Sequence, residues 1–92
     1  METLLEWDAE KERSNIRKHS ISFTEAVTAL EDELAITLED DHLAEIRFIT
    51  LGMDEAGRML VVVYTYRGEV IRIISARKAT SVERVVYKSE RK

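Results

Sequence analysis

The spacing of apolar positions changes character several times along the chain. Asp8 is a good N-cap for a helix running to about His19, but only Ala9 and Ile16 lie on that helix's thin apolar side. Trp7, just before it, is the natural anchor for packing that helix against a sheet. Ser22-Phe23-Thr24-Glu25 is a capping box, and Phe23, Ala26, Val27 and Leu30 then recur at helical spacing until about Glu31 or Asp32. From Leu34 the period falls to two: Leu34, Ile36 and Leu38 alternate with Ala35, Thr37 and Glu39, which predicts a strand. Asp40-Asp41-His42 reads as a turn. Glu45 to Met53, Arg58 to Tyr66 and Glu69 to about Ala76 follow as three more strands, joined through Asp54-Glu55-Ala56-Gly57 and Arg67-Gly68. Thr80-Ser81-Val82-Glu83 is a second capping box and opens a last helix with Val82, Val85 and Val86 as its apolar stripe. Short connections between consecutive strands predict an antiparallel meander. The expected fold is α+β: two N-terminal helices, a four-stranded antiparallel sheet covered on one face, and a C-terminal helix.

Composition narrows this picture. The 92 residues are expected to form one domain, residues 1–92, with a single modest core. The chain has no cysteine, so thiolate chemistry and zinc-thiolate sites are excluded, and a reducing cytoplasm suits it. No apolar run approaches a membrane span, and Glu2, Glu6 and Asp8 interrupt any leader-like segment, so no membrane association is expected. The net charge of −4 argues against broad duplex binding and suits a basic protein partner. The charge is uneven, however: Glu31, Asp32, Glu33, Glu39, Asp40 and Asp41 crowd the middle, while the stretch from Arg77 to Lys92 is basic.

Cations concentrate where the last strand meets the last helix. Arg72, Arg77 and Lys78 lie within a few residues of one another, more positive charge than a buried strand end requires, and so mark a place for an anion. In an unbroken strand Arg72 and Arg77 point to opposite faces, so they share a site only if the strand ends or bulges between them. The competing structural role for Arg77 is an ion pair with Glu83 or Glu45. Tyr87 lies off the valine stripe, a position from which it could bond a phosphate, stack on a base or pack at the helix edge. His19 has the pKa of a proton-transfer group, and equally suits a helix C-terminus. Glu45 and Arg47 share a strand face; Lys11, Asn15 and Lys18 share a helix face that is either solvated or turned to a polyanion. The Asp40-Asp41-His42 run is a weak metal motif with no second ligand cluster, and no metal or other cofactor is expected.

One resemblance covers nearly the whole chain in register. Arg72-Ile73-Ile74-Ser75-Ala76-Arg77-Lys78-Ala79-Thr80, followed by Glu83-Arg84 and Tyr87, resembles the C-terminal motif of the BrnT family. Trp7-Asp8, Lys11, Asn15, Lys18-His19 and Phe23 match that family's N-terminal order, and Glu45-x-Arg47-Phe48 and Gly57-Arg58-x-Leu60 its middle. Ser20 stands where Gly is usual, and Tyr64 where His is frequent. The resemblance implies a RelE-like fold and a cytoplasmic bacterial toxin that cleaves RNA without a metal. It also implies silencing by a BrnA-type antitoxin, assembly of two toxins with two antitoxins, and contact with operator DNA only through the antitoxin. Such cleavage needs a base for the 2′-hydroxyl, an acid for the departing 5′-oxygen and cations around the phosphorus. Under this reading the catalytic candidates are Arg77, Arg72, Lys78, Tyr87, His19 and Glu45. Lys11, Lys18, Arg47 and Arg84 are the RNA-binding candidates. The competing expectation is a non-catalytic module that binds a DNA-binding antitoxin and tunes repression; direct DNA binding is disfavoured by the acidic charge and the lack of a base-reading helix.

Overall fold

A computed structural model of the chain describes residues 4–42 and 45–90. Arg91 and Lys92, which end the basic C-terminal stretch, and the side chain of His42 lie outside the described residues. The elements run β1 (Leu4–Trp7), α1 (Ala9–His19), α2 (Phe23–Leu30), β2 (Ile36–His42), β3 (Glu45–Met53), β4 (Met59–Arg67), β5 (Val70–Lys78) and α3 (Ser81–Ser89).

All three helices start where local chemistry places them. Asp8 accepts from the backbone N–H groups of Glu10 and Lys11, and both Ser22 and Thr80 form complete capping boxes with Glu25 and Glu83. The sheet differs from the expectation. It has five strands in the order β1-β5-β4-β3-β2, and β1 lies parallel to β5, so the sheet is mixed rather than a four-stranded antiparallel meander preceded by two helices. Four residues carry too little periodicity to announce β1, and its partner lies more than sixty positions away. Asp40, Asp41 and His42 belong to β2 rather than to a turn. In its register Asp40 is opposite Arg47 and Asp41 opposite Ile46, so the two carboxylates project from opposite faces and cannot chelate together.

Both faces of the sheet are covered, not one. On the first face, Phe23, Ala26 and Ala29 of α2 and Ile21 pack on Leu60, Val62, Tyr64, Ile73 and Ala76, with Trp7 and Phe48 at the margin. Trp7 is itself a residue of β1 and meets Phe23 edge-on at 6.0 Å, so its ring contact is with α2 rather than with α1, the helix the sequence has it anchor. On the second face, α3 lays Tyr87 over Leu51, Met59 and Val61. The valine stripe is not the buried one: Val82, Val85 and Val86 are exposed, and Tyr87 is buried in their place. The helix is thus turned by about one residue, roughly 100°, from the expected orientation. The Tyr87 ring packs in the apolar patch with Leu51, Met59, Val61 and Ala79, and its hydroxyl donates to Asp32 Oδ2 at 2.6 Å.

Candidate active site: the arginine face of the sheet

The decisive local feature lies within β5. Tyr64 is opposite Ile73 and Val63 opposite Ser75, so Ile74 is an extra residue, a bulge. Ile73 and Ala76, three positions apart, therefore both enter the first core. The bulge also resolves the parity of the cations. Arg72 is opposite Thr65 and Arg77 opposite Val61, and those partners are four apart on β4, so both arginines stand on the second face. Their strand positions are separated by four residue rises, roughly 13 Å. Lys78, opposite Leu60, belongs to the other face and is exposed there.

Each arginine on the second face is held by a carboxylate. Glu6 Oε2 accepts from Arg72 Nη1 at 2.8 Å and from Arg67 Nη1 at 3.2 Å. Arg47 Nε donates to Glu45 Oε1 at 2.8 Å. Arg77 makes a two-pronged pair with Glu83, at 2.8 and 2.9 Å, and also donates to the carbonyl of Lys78. The bonds from Arg77, then from the Thr80 N–H, hold the Glu83 carboxyl down at about 2, and Glu83 in turn raises the Arg77 pKa. Arg77 is therefore joined to the N-terminus of α3, the ion-pair role weighed for it from the sequence, whereas Arg72 commits one N–H of a guanidinium that carries five.

Beyond Phe48 and Tyr64 the pairing of β3 with β4 stops, although β3 stays paired to β2 and β4 to β5. The sheet forks, and the Thr65 hydroxyl reaches across to the Ile46 carbonyl at 2.8 Å. The fork is an open groove of about 680 Å³ lined by Glu45, Ile46, Phe48, Thr65, Tyr66, Arg67 and Arg72. It brings together two of the candidates, Arg72 and Glu45, with Arg47 one hydrogen bond behind Glu45.

The other candidates lie elsewhere. Tyr87 lines a second cavity, of about 470 Å³, with Glu31, Asp32, Asp54 and Glu55, an acidic wall unsuited to a phosphate. His19 is exposed at the end of α1, two residues before Ile21 of the first core, and so lies on the far side of the sheet from Arg72. Lys11 and Lys18 are exposed on the same helix, but Asn15 between them is buried. Its amide donates to the carbonyls of Ile21 and Ala76 and accepts from the Ala76 N–H, closing the β5 edge that β1 leaves open. Arg84 donates to the Ala79 carbonyl and the Ser81 hydroxyl within its own helix start. Sequence reasoning missed Glu6 and Arg67: Glu6 precedes α1 by three residues, and nothing local signals an approach to Arg72. Tyr64 is buried, its hydroxyl bonded to Thr50 and packed with Phe48 and Tyr66, so it is a core residue here.

Comparison with known proteins agrees with this architecture. A family model described as the ribonuclease toxin BrnT of type II toxin–antitoxin systems matches residues 7–83. The fold is similar to the 1.1 Å crystal structure of the Brucella abortus ribonuclease toxin BrnT, with a TM-score of 0.65 and 23% identity, covering 86% of this chain and 100% of that one. A search of curated proteins gave no match. Since the family model spans most of the chain, including both strands that form the fork's arginine wall, this protein belongs to the BrnT family of ribonuclease toxins of type II toxin–antitoxin systems.

Proposed function

We propose that the chain is a metal-independent endoribonuclease whose reacting phosphate sits in the fork on Arg72. The observation that carries this reading is the bulge at Ile74, which sets Arg72 on one face with Glu45, Arg47 and Arg67 beside an open groove. Arg72 and Arg67, oriented by Glu6, stabilise the charge on the phosphorane oxygens. Glu45, oriented by Arg47, takes the proton of the 2′-hydroxyl as its oxygen bonds to phosphorus. The bond from phosphorus to the 5′-oxygen breaks, and that oxygen takes a proton from solvent admitted by the open groove. The products are a 2′,3′-cyclic phosphate and a 5′-hydroxyl. Arg77, farther along the same face, supports an adjoining phosphate and holds α3; Lys11, Lys18, Lys78 and Arg84 are peripheral cations, and His19 and Tyr87 take no part in the chemistry.

A type II toxin implies an antitoxin. We propose a BrnA-type protein in a two-plus-two assembly in the cytoplasm, reaching operator DNA only through the antitoxin. The acidic residues Glu31, Glu33, Glu39, Asp40 and Asp41, all exposed, suit a basic antitoxin. One observation favours the rival reading, a non-catalytic co-repressor: every arginine of this face already has a carboxylate partner. Incubating the purified chain with RNA in EDTA, beside Arg72→Ala, separates the two. The ribonuclease reading expects cleavage to cyclic-phosphate and 5′-hydroxyl ends, reduced about 10²–10³-fold in the variant. Intact RNA with folded protein supports the co-repressor.

A further inference from the structure

The fork has two chemically different walls. Glu45, Thr65, Arg67 and Arg72 stand on the second face of the sheet, whereas Phe48 and Tyr66 stand on the first, by the register that pairs Tyr66 with Ile71 and Phe48 with Tyr64. Side chains of both faces reach one groove because the sheet separates there into two ribbons. The aromatic wall is not closed over: Tyr66 is 50% exposed and Ile46, on the opposite ribbon, 49%. Phe48 supports Tyr66 from behind, edge-on at 5.2 Å, so the tyrosine ring is braced at its edge while much of its surface stays open to solvent.

We infer that the fork is a nucleotide subsite in which an unpaired RNA base stacks on Tyr66 while its phosphate rests on Arg67 and Arg72. This rests on the ribonuclease reading and adds a substrate class to it: single-stranded RNA, read by stacking. A nucleotide is itself two-sided, with an apolar π-face and an anionic phosphate, and the two walls match that division. A base inside a duplex is covered on both faces by its neighbours and cannot present one to the tyrosine. Stacking is tolerant of base identity, so the subsite selects strandedness more than sequence.

The test uses the full chain and fluorescently labelled 2′-O-methyl RNA decamers, which bind but cannot be cleaved at the blocked hydroxyl. Removing the aromatic surface in Tyr66→Leu is expected to weaken single-strand binding about tenfold, whereas Tyr66→Phe, which keeps the ring, restores it to within about twofold. The same decamer annealed to its complement is expected to bind the parent protein weakly. Decamers that each carry one abasic nucleotide, the position moved along the strand, report on the unaltered protein should the leucine variant fold poorly; loss of affinity at one position supports the subsite. Equal binding of Tyr66→Leu and parent, equal binding of duplex and single strand, or indifference to every abasic position would each overturn it. Cleavage in EDTA that depends on Arg72 but not on Tyr66 would leave the ribonuclease reading standing without this subsite. Tyr66-dependent binding by a chain that cuts nothing would do the reverse.

Discussion

On the α2 side of the sheet Phe23, Leu60, Val62 and Ile73 are fully enclosed, and even the polar contact, Asn15 with the β5 edge, is buried and satisfied. On the α3 side only the half beneath Tyr87 is enclosed. The other half carries Arg47, Arg67 and Arg72 with their glutamates, all partly solvated. The same five strands thus supply a dry face that gives stability and a wet face that offers charge. Ion pairs as exposed as these contribute little to folding. Their geometry instead holds guanidinium groups in place at the mouth of a groove. Away from Phe48 and Tyr66, which reach the fork, substitutions on the first face should therefore change stability without touching the groove, whereas those at the groove's arginines should do the reverse.

The largest stability effect is expected at Asn15, although a reading of α1 as a cationic face gives no reason to suspect it. In Asn15→Ala the carbonyls of Ile21 and Ala76 and the Ala76 N–H all lose their partner in a buried place. Leaving such groups unsatisfied costs about 3 kcal/mol, enough to lower Tm by roughly 10–20 °C in a domain of this size. Thermal melts followed by circular dichroism measure it. A loss below about 1 kcal/mol would mean that water replaces the amide and that the β5 edge is wetter than described.

Next comes the contact between α2 and β3. A Cβ placed on Gly52 would lie 2.5 Å from the Ala29 carbonyl oxygen and 3.2 Å from the Ala35 Cβ. Neither neighbour is a flexible side-chain end, so Gly52→Ala must push the helix from the sheet, at about 2 kcal/mol. RNA binding by the folded fraction is expected to be unchanged, because the fork lies at the other end of β3; a urea titration and an anisotropy measurement on one preparation check both halves of the statement.

How far the sequence reveals all this follows range in the chain. Asp8, Ser22 and Thr80 act on N–H groups two or three residues away, so the caps are legible directly. The parallel pairing of β1 and the approach of Glu6 to Arg72 span more than sixty residues and leave no local trace. The bulge is concealed by its own composition. Ile73 and Ile74 are the same residue, and only one of them belongs to the core, so alternation cannot show where the period slips. On α3 the stripe with the clearest helical spacing is the exposed one, because the apolar patch beneath admits one large ring and Glu83 is already engaged by Arg77 and the cap. The clustering of cations before the last helix brings Arg72 to notice, and the strand face shared with Arg47 brings Glu45, with the family resemblance adding weight to both; the groove that unites them follows only from the fork.

The pair that joins the second face to α3 gives a pH-dependent test of the boundary. Glu83 titrates at about 2 in the folded chain against an ordinary 4.5, so its contribution is complete above about pH 4.5 and fades as pH falls toward about 2. Glu83→Gln is expected to be less stable than the parent by roughly 1–2 kcal/mol at neutral pH, after allowing for solvent screening of a partly exposed pair. The two stability curves should draw together on acidification as the parent's own carboxyl protonates. Curves that stay parallel down to pH 3 would show that the deficit comes from the altered cap rather than from charge.

The smallest expected effect has the opposite sign and belongs wholly to the first face. Ser20 closes α1 with φ 61°, the left-handed conformation, and its N–H bonds the Ile16 carbonyl. A serine Cβ is crowded there, whereas glycine is not, at a conformational cost of about 1 kcal/mol for the non-glycine residue. Ser20→Gly removes that strain but gives the unfolded chain more freedom, which opposes the gain, so a net stabilisation of about 0.5 kcal/mol remains. The expected signature is a Tm higher by a few degrees with RNA affinity and cleavage unchanged, because the turn positions Ile21 for the α2 core and lies on the far side of the sheet from the groove. A change in RNA affinity on this substitution would mean that the end of α1, with Lys18 and His19, reaches the substrate, and the division between the two faces would then be less complete than the geometry indicates.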